Sequence, residues 1–459
     1  MYFYFIKEQN IIGGKFVNKQ ERLKKMIARK KKDAEKKKEK NYINILSDAV
    51  ATPYQRMLTG LLTMDYLLHG LMEGSMYELC GRPNSGKSAL SFKILEKAQY
   101  VYPGLTCYYN DIEGTSKDET FLNRYPLLKR DEIIFDCNPD IETFFTNLEE
   151  MSSDIDLLYI DTVGAMKLKN DIDLEKAEMG KVAGIMTRGW KRFFDIARDG
   201  IRVFAINQVR EQLNQYAANE GPVTPGATAF RHAVTGKIEI KRDGGQSKAI
   251  KNKDVFGNEK VTAWDTIIKV WKNKQGPFGK SITTYFHTED SGENKYDTFD
   301  EIKELIAFSK VFGLIISSGS MNSIINPETG EEVEKIKGKD ALEEFFKNNP
   351  EKAAELKIYC YRNILDNSFF YCLYDKILMI ARADIVMQSI RNKINFNLPF
   401  QTQLKKIKVD EEKVLEELKE KYPITKFFEP EQLKELEKEY DKKWLWKLRE
   451  EVEDEEIEQ

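Results

Sequence analysis

Apolar positions in the middle of the chain fall into short runs rich in β-branched and aromatic residues, separated by longer stretches with a helical period. MYELC (76–80), LTCYYND (105–111), EIIFDC (132–137), DLLYIDTV (156–163), RVFAINQ (202–208), KIEIKR (237–242), TIIKVWK (266–272) and ITTYFH (282–287) read as strands. Helical patterns such as SALSFKILEKAQYVY (88–102) and KVAGIMTRGWKRFFDIAR (181–198) alternate with the earlier ones. Strand–helix alternation of this kind predicts an α/β core with a mostly parallel central sheet covered by helices.

The flanks read differently. Residues 15–41 form a charged helical pattern whose few apolar positions (Phe16, Leu23, Met26, Ile27) cannot bury much alone, which predicts a helix that docks elsewhere. After Gly292 the pattern DTFDEIKELIAFSKVFGLI, a Gly/Ser turn and GKDALEEFFKNNPEKAAELKIYCYRNIL predict a small α/β module. From about 380 the chain reads as charged helix broken at Pro399, Pro423 and Pro430. The expected parts are therefore 1–50, a basic N-terminal helix; 51–292, the core; 293–375, the small α/β module; and 376–459, a helical charged extension with an acidic tail.

One stretch is neither strand nor helix. INQVREQLNQYAANEGPVTPGATAF (206–230) leaves an apolar strand and continues as polar backbone punctuated by Gly and Pro. Loops this long inside a compact domain are usually functional or disordered.

The chemistry starts at Gly81-Arg82-Pro83-Asn84-Ser85-Gly86-Lys87-Ser88, which has the G-x-x-x-x-G-K-[ST] spacing directly after one predicted strand and before a helix. Such a loop curls backbone N–H groups around phosphate oxygens at a helix N-terminus; its lysine reaches the terminal phosphates and its Ser hydroxyl ligates Mg²⁺. ATP with Mg²⁺ is the expected pair. Asp161 ends the strand Leu157-Leu158-Tyr159-Ile160 and is the candidate second metal ligand beside Ser88, although an Asp at a strand end can also be a helix cap. Glu113 follows the neighbouring strand and is the candidate general base for an attacking water; the alternative is a solvated loop carboxylate.

Composition narrows the picture further. With 459 residues and 41% hydrophobic content the chain can bury a large core and suggests two or three domains. No run approaches the roughly 20 apolar residues of a membrane span, and the opening MYFYFIKEQN lacks the basic start of a secretory signal. The expectation is a cytoplasmic protein without membrane association. Five cysteines without C-x-x-C spacing argue for reduced thiols rather than disulfides or zinc. A net charge of -3 conceals an asymmetry: KKMIARKKKDAEKKKEK (24–40) is basic, while EEVEDEEIEQ (450–459) carries seven carboxylates and no cation. Each run is a solvated surface or a contact for an opposite charge, and the pairing raises autoinhibition by the tail.

Further motifs fall in a recognisable order: LTGLLTMDYLLHG (58–70), DIEG (111–114), YIDTVGAM (159–166), EMGKVAGIMTRGWKRF (178–193), FAINQVR (204–210) and KVWKNKQGPF (269–278). From about residue 57 to 356 the chain resembles the RecA family of recombinases, including its phage members. The resemblance implies a RecA-like P-loop ATPase core that assembles as a helical filament, a homo-oligomer, on single-stranded DNA and exchanges strands with double-stranded DNA. Single-strand-binding and loader proteins are further partners that it implies.

By the same resemblance, Gln208 touches the terminal phosphate and opens the second DNA-binding loop. Leu213 would wedge between bases, and Gly221, Gly226 and Ala227 would admit DNA phosphates. Met179 would be the wedge of the first DNA loop; Thr187, Lys191 and Arg210 would hold phosphates. Lys272 and Lys274 match a pair that reaches the ATP of a neighbouring subunit. The basic N-terminal helix takes the position of the family's polymerisation arm. The pattern departs at Lys117 and Thr120, where the family has an Asp and a Tyr near the adenine, and at Ala229-Phe230-Arg231-His232, so the resemblance does not supply the base contacts. The alternatives are a hexameric helicase of related fold, which would form rings, and a non-catalytic mediator or signalling assembly.

Overall fold

The computed structural model describes residues 56–114, 116–167, 184, 187–193, 200–210, 221–226, 228–243, 249–253, 257–287, 299–395 and 400–438. All of them belong to one unit, Pro53–Gln459. The N-terminal helix expected over 15–41, the tail 450–459, Met179, Leu213 and Ala227 lie outside the described residues.

A two-residue ribbon of β1 (Arg56–Met57) and β2 (Leu71–Met72) precedes the main sheet. That sheet takes β3 (Met76–Gly81), β4 (Cys107–Asp111), β5 (Ile133–Asp136), β6 (Leu157–Asp161), β7 (Arg202–Gln208), β8 (Gly236–Arg242), β9 (Ala249–Lys253), β10 (Glu259–Asn273) and β11 (Ser281–His287). Its order is β11-β10-β8-β3-β7-β6-β4-β5, with β9 on β10. The run from β8 to β5 is parallel, and β9, β10 and β11 pair antiparallel. This is the mostly parallel α/β sheet that the alternating pattern predicts. Each strand segment read from the sequence lies on one of these strands; β9 is additional.

Both faces of the parallel strands are buried, which is why their sequences run apolar without a polar beat. Leu157, Tyr159, Phe204 and Ile206 point into one cluster with Leu90, Ile94 and Leu95 of the helix Lys87–Val101. Their neighbours Leu158, Ile160, Val203 and Ala205 point the other way, against Phe144, Phe145 and Leu148 of the helix Ile141–Met151 and against Trp190 and Phe230. The alternation is the two-residue period of a strand made visible in two cores. Aspartates cap the helices on both sides of the fold: Asp140, Asp300, Asp366 and Asp410 each accept a backbone N–H three residues on.

Beyond the sheet stand the helix Glu301–Val311, a three-stranded antiparallel sheet of β12 (Ile315–Ser318), β13 (Met321–Ile325) and β14 (Glu332–Lys337), and the helices Lys339–Asn348 and Pro350–Ile364. The Gly/Ser stretch read as a turn is the turn between β12 and β13, in the region read as a small α/β module, although its individual strands were not delimited. Its last strand, EVEKIK, is almost wholly exposed and has no apolar stripe to read. The boundary expected near 375 falls inside one 25-residue helix, Asn367–Arg391. Buried residues line this helix around most of its circumference, so its sequence shows no one-sided period.

These C-terminal helices share a core with Leu58, Leu62, Tyr100 and Val101. A buried ionic cluster adds to the contact. Lys93 pairs with Glu301 at 3.0 Å and with Glu96 at 3.3 Å; Lys97 pairs with Glu301 at 2.7 Å and with Asp384. Lys357 reaches Asp384 at 2.7 Å, and Arg391 reaches Glu96 at 3.6 Å. The surrounding lysines hold the Glu301 carboxyl well below the usual range despite its burial. All five cysteines are free, and no helix among the described residues is long and apolar enough to cross a membrane.

Glu304 caps the helix Leu62–Leu68 from a distance, accepting the N–H groups of Leu62 at 3.2 Å and Thr63 at 2.7 Å. Burial pushes its carboxyl up from 4.5 to about 7. The folded state therefore keeps a proton that the unfolded state loses above about 4.5, so this group's contribution to stability is full below pH 4.5 and is lost as pH rises through 7. The loss is on the order of 3 kcal/mol. Glu304→Gln is expected to remove that part of the slope, read as the difference between variant and wild-type urea midpoints from pH 4.5 to 8.

Candidate nucleotide site

The site is made by strand register. Gly81 at the end of β3 lies beside Gln208 of β7, and Asp161 of β6 lies between Ile206 of β7 and Asp111 of β4. Adjacent parallel strands thus deliver their C-terminal ends to one edge, the place where open α/β sheets bind ligands.

The P-loop conformation depends on its glycines. A Cβ on Gly81 would stand 2.3 Å from the carbonyl oxygen of Ile240. Gly86 has φ +96° and packs directly on the Phe286 ring, 2.9 Å from where a Cβ would be. The helix begins at Lys87, immediately after this left-handed residue. Arg82, Pro83 and Asn84 are exposed at the mouth, whereas Ser85 is buried. Arg242 braces the loop by donating to the Asn84 carbonyl at 2.6 Å, with its guanidinium over the Trp264 ring.

Lys87 folds back over the loop, its Nζ donating to the carbonyls of Gly81 at 3.2 Å and Arg82 at 2.9 Å. Burial lowers its pKa, and the carboxylates of Asp161 and Glu113 oppose that shift. Ser88 Oγ donates to Asp161 Oδ2 at 2.6 Å, and the Tyr109 hydroxyl donates to the same oxygen at 3.1 Å. Burial pushes Asp161 up to about 6; these two hydrogen bonds lower it and Glu113 raises it further. The other oxygen, Oδ1, is buried without a hydrogen-bond partner. A hydroxyl and a carboxylate with a spare buried oxygen, beside a phosphate cradle, fit the hard oxygen-donor demands of Mg²⁺. No cluster of three or more His, Cys, Asp or Glu that could hold a metal occurs among the described residues, so phosphate and water oxygens would complete the shell.

Glu113 sits on the turn after β4, where the N–H groups of Ile112 and Glu113 bond the Asp161 carbonyl at 2.7 and 3.2 Å. Asp111 tightens the turn by accepting from Gly114 and Ser116 N–H. Glu113 Oε1 then accepts from Gln208 Nε2 at 3.0 Å and from Thr162 Oγ1 at 3.2 Å. The structure so gathers Lys87, Ser88, Asp161, Glu113 and Gln208 at one edge.

Other candidates lie elsewhere. Lys272 and Lys274 donate to the carbonyls of Arg231 at 2.9 Å and His232 at 2.6 Å. The register sets Lys272 beside Lys237, which in turn lies beside Glu78, about 10 Å of strand behind Gly81. Both lysines thus lie toward the opposite edge of the sheet from the phosphate cradle of their own chain. Thr187 and Lys191 stand on the segment 187–193, half-buried and exposed respectively, where Trp190 is sunk between Phe145, Phe193 and Phe230. Arg210 is exposed and its N–H bonds the Val223 carbonyl at 2.8 Å, closing the base of the loop; Gly226 (φ +129°) packs on Phe230. Sequence reasoning missed Tyr109, Thr162, Asn207, Glu78 and Arg242. Thr162 could have been found as the neighbour of Asp161; the others look like ordinary strand positions.

A mostly parallel sheet with a phosphate loop at the end of an inner strand and a strand-end carboxylate on its serine defines an α/β protein of the P-loop class. The chain matches the RecA N-terminal domain over residues 25–289. It is 28% identical over 321 residues to Protein RecA of Cytophaga hutchinsonii, covering 68% of this chain and 83% of that protein. It is 27% identical over 308 residues to Protein RecA of Methylococcus capsulatus, covering 65% and 80%. Protein RecA of Xanthomonas campestris is 27% identical over 334 residues, covering 70% and 89%. This chain belongs to the RecA family.

Gly86→Ala is expected to weaken binding of a fluorescent ATP analogue at least about tenfold and to cost roughly 1–3 kcal/mol of stability, because φ and the Phe286 ring both oppose a Cβ. Gly104→Ala is the control: its φ is also positive, at +83°, but no atom lies within 4 Å, so affinity should stay unchanged.

Proposed function

We propose that this chain is an ATP-dependent homologous recombinase, which forms helical filaments on single-stranded DNA and catalyses homologous pairing and strand exchange. The observation that carries the reading is the Glu113–Gln208 hydrogen bond. It joins the candidate general base to the first residue beyond the buried part of β7, and that residue opens the loop 209–227. Family membership supports a recombinase in general terms.

In this reading ATP phosphates lie on the N–H groups of Gly81 to Ser88 with Lys87 over them, and Ser88 and Asp161 hold Mg²⁺, which supplies charge neutralisation at the phosphates. Lys87 exchanges its two carbonyl partners for phosphate oxygens. Glu113 orients the attacking water and accepts its proton. Gln208, released from Glu113 towards the terminal phosphate, alters the start of the loop. DNA-competent and DNA-releasing states would then differ at one amide. Thr187, Lys191 and Arg210 contribute phosphate contacts, Met179 and Leu213 stack or wedge at bases, and Gly226 and Ala227 let DNA approach the backbone. Backbone and stacking contacts suffice, because base pairing between strands supplies sequence specificity. The rearward placement of Lys272 and Lys274 is compatible with service to a neighbouring subunit. The separate roles proposed for 1–50, 293–375 and 376–459 are assembly arm, accessory module and regulatory extension.

Electron microscopy of the purified protein with single-stranded DNA and a non-hydrolysable ATP analogue tests the assembly: helical filaments are expected, and closed rings would favour a helicase instead. Glu113→Gln should lower ATP turnover about 10²–10⁴-fold while leaving ATP-analogue and DNA affinity within about twofold; wild-type turnover would remove Glu113 from the chemistry. In a mixing experiment, Lys272→Ala/Lys274→Ala subunits combined with Lys87→Ala subunits should hydrolyse more ATP than the sum of the two alone. Equality with that sum, with co-assembly verified, would deny the lysines a role in trans.

A further inference from the structure

Glu78 lies in β3, three residues before Gly81, and is 1% exposed. A carboxylate buried this deeply is unfavourable unless both oxygens find partners. Oε1 accepts from Asn207 Nδ2 at 2.9 Å, and Oε2 pairs with Lys237 Nζ at 3.2 Å. Neither partner stops there. The Asn207 amide also donates to the Pro225 carbonyl at 2.9 Å, and Lys237 Nζ also donates to Thr224 Oγ1 at 3.1 Å. One carboxylate thus holds the residue from which the 209–227 loop departs and, through two partners, both residues at which it returns.

The return arm is also held by Gly221 against Trp271, Val223 on the Arg210 N–H, and Pro225 against Gly164. A hydrophobic side chain at 78 would fill the same space without desolvating a charge, but it could not direct two arms of a loop. Asn207 and Gln208 are successive residues of β7, so a displacement of Gln208 at Glu113 moves the backbone of Asn207 as well. Asn207 passes it to Pro225 by its side chain, while Glu78 is the fixed point on the strand that ends in the P-loop.

We infer that Glu78 is a positioning residue that registers both arms of the 209–227 loop against the P-loop strand and so couples nucleotide state to that loop. The inference rests on the reading of 209–227 as the DNA contact. It adds a residue that touches neither nucleotide nor DNA. Removing Glu78 alone strands a half-buried ammonium, so the decisive variant is Glu78→Gln/Lys237→Gln, which removes both charges and keeps hydrogen-bonding groups in place.

Hydrogen exchange of the full-length protein, followed by mass spectrometry with and without a non-hydrolysable ATP analogue, reads the coupling without DNA. In the wild type the analogue should slow exchange in peptides spanning 207–227. In the double variant that response should vanish, with free-state exchange in the loop roughly tenfold faster, while peptides covering 87–101 keep their protection. The half-saturating single-stranded DNA concentration for ATPase stimulation should rise about tenfold, with KM for ATP within about twofold. A wild-type loop response in the double variant, or KM and DNA dependence shifting together, would overturn the inference. So would a wild-type loop indifferent to the analogue. A responsive wild-type loop in a protein whose ATPase ignores DNA would instead sink the recombinase reading and leave the role of Glu78 standing.

Discussion

Parallel pairing with a fixed register, from β8 through β3, β7 and β6 to β4, is the constraint from which the site follows. It brings Gly81 level with Gln208, and Asp161 level with Asp111, before any side-chain contact is made. A slip of one residue in any of these strands would exchange its two sets of side chains between the two hydrophobic cores, so the packing of those cores polices the alignment that the polar edge requires. The chemistry is thereby stabilised by apolar burial remote from it. Glu113, Thr162 and Gln208 meet because three strand ends are already adjacent, and the hydrogen bonds between them select an orientation within that frame.

How much of this could be read from the chain depended on whether a residue's neighbours in sequence are also its neighbours in space. The P-loop was legible because its demands are local: a positive φ at Gly86, no room for a Cβ at Gly81, and a helix that starts at once. Asp161 and Glu113 were legible as carboxylates at the ends of apolar strands. Glu78 and Asn207 were not, since alternation tells which face of a strand a residue occupies and says nothing of its diagonal partner one strand away. Tyr109 lies within a segment read only as a strand and is fully buried, yet its hydroxyl reaches Asp161. The resemblance offered Lys272 and Lys274, and only the antiparallel turn of β10 reveals that they lie behind their own cradle.

The C-terminal region was the least legible because its contacts are the most distant in sequence. Lys93 and Lys97 looked like ordinary polar positions of a helix, and Glu301, Lys357 and Asp384 like scattered surface charges. Together they form one buried cluster across four helices, with Lys93 1% and Lys97 2% exposed. Such a cluster contributes little net stability relative to apolar packing, but it tolerates only one arrangement of its members. It orients the helix whose first residues are Lys87 and Ser88.

That cluster also limits how the protein can be taken apart. A polypeptide ending near residue 290 would contain every strand of the main sheet and the whole phosphate loop, and by its motifs would look self-sufficient. It would nevertheless bring the apolar side of the Lys87–Val101 helix to a surface, with Lys97 deprived of Glu301 and Asp384 and Lys93 left with Glu96 in place of Glu301. The minimal autonomous fragment is therefore set by where Lys93 and Lys97 find their carboxylates, at Glu301 and Asp384, and extends through the helix that ends at Arg391.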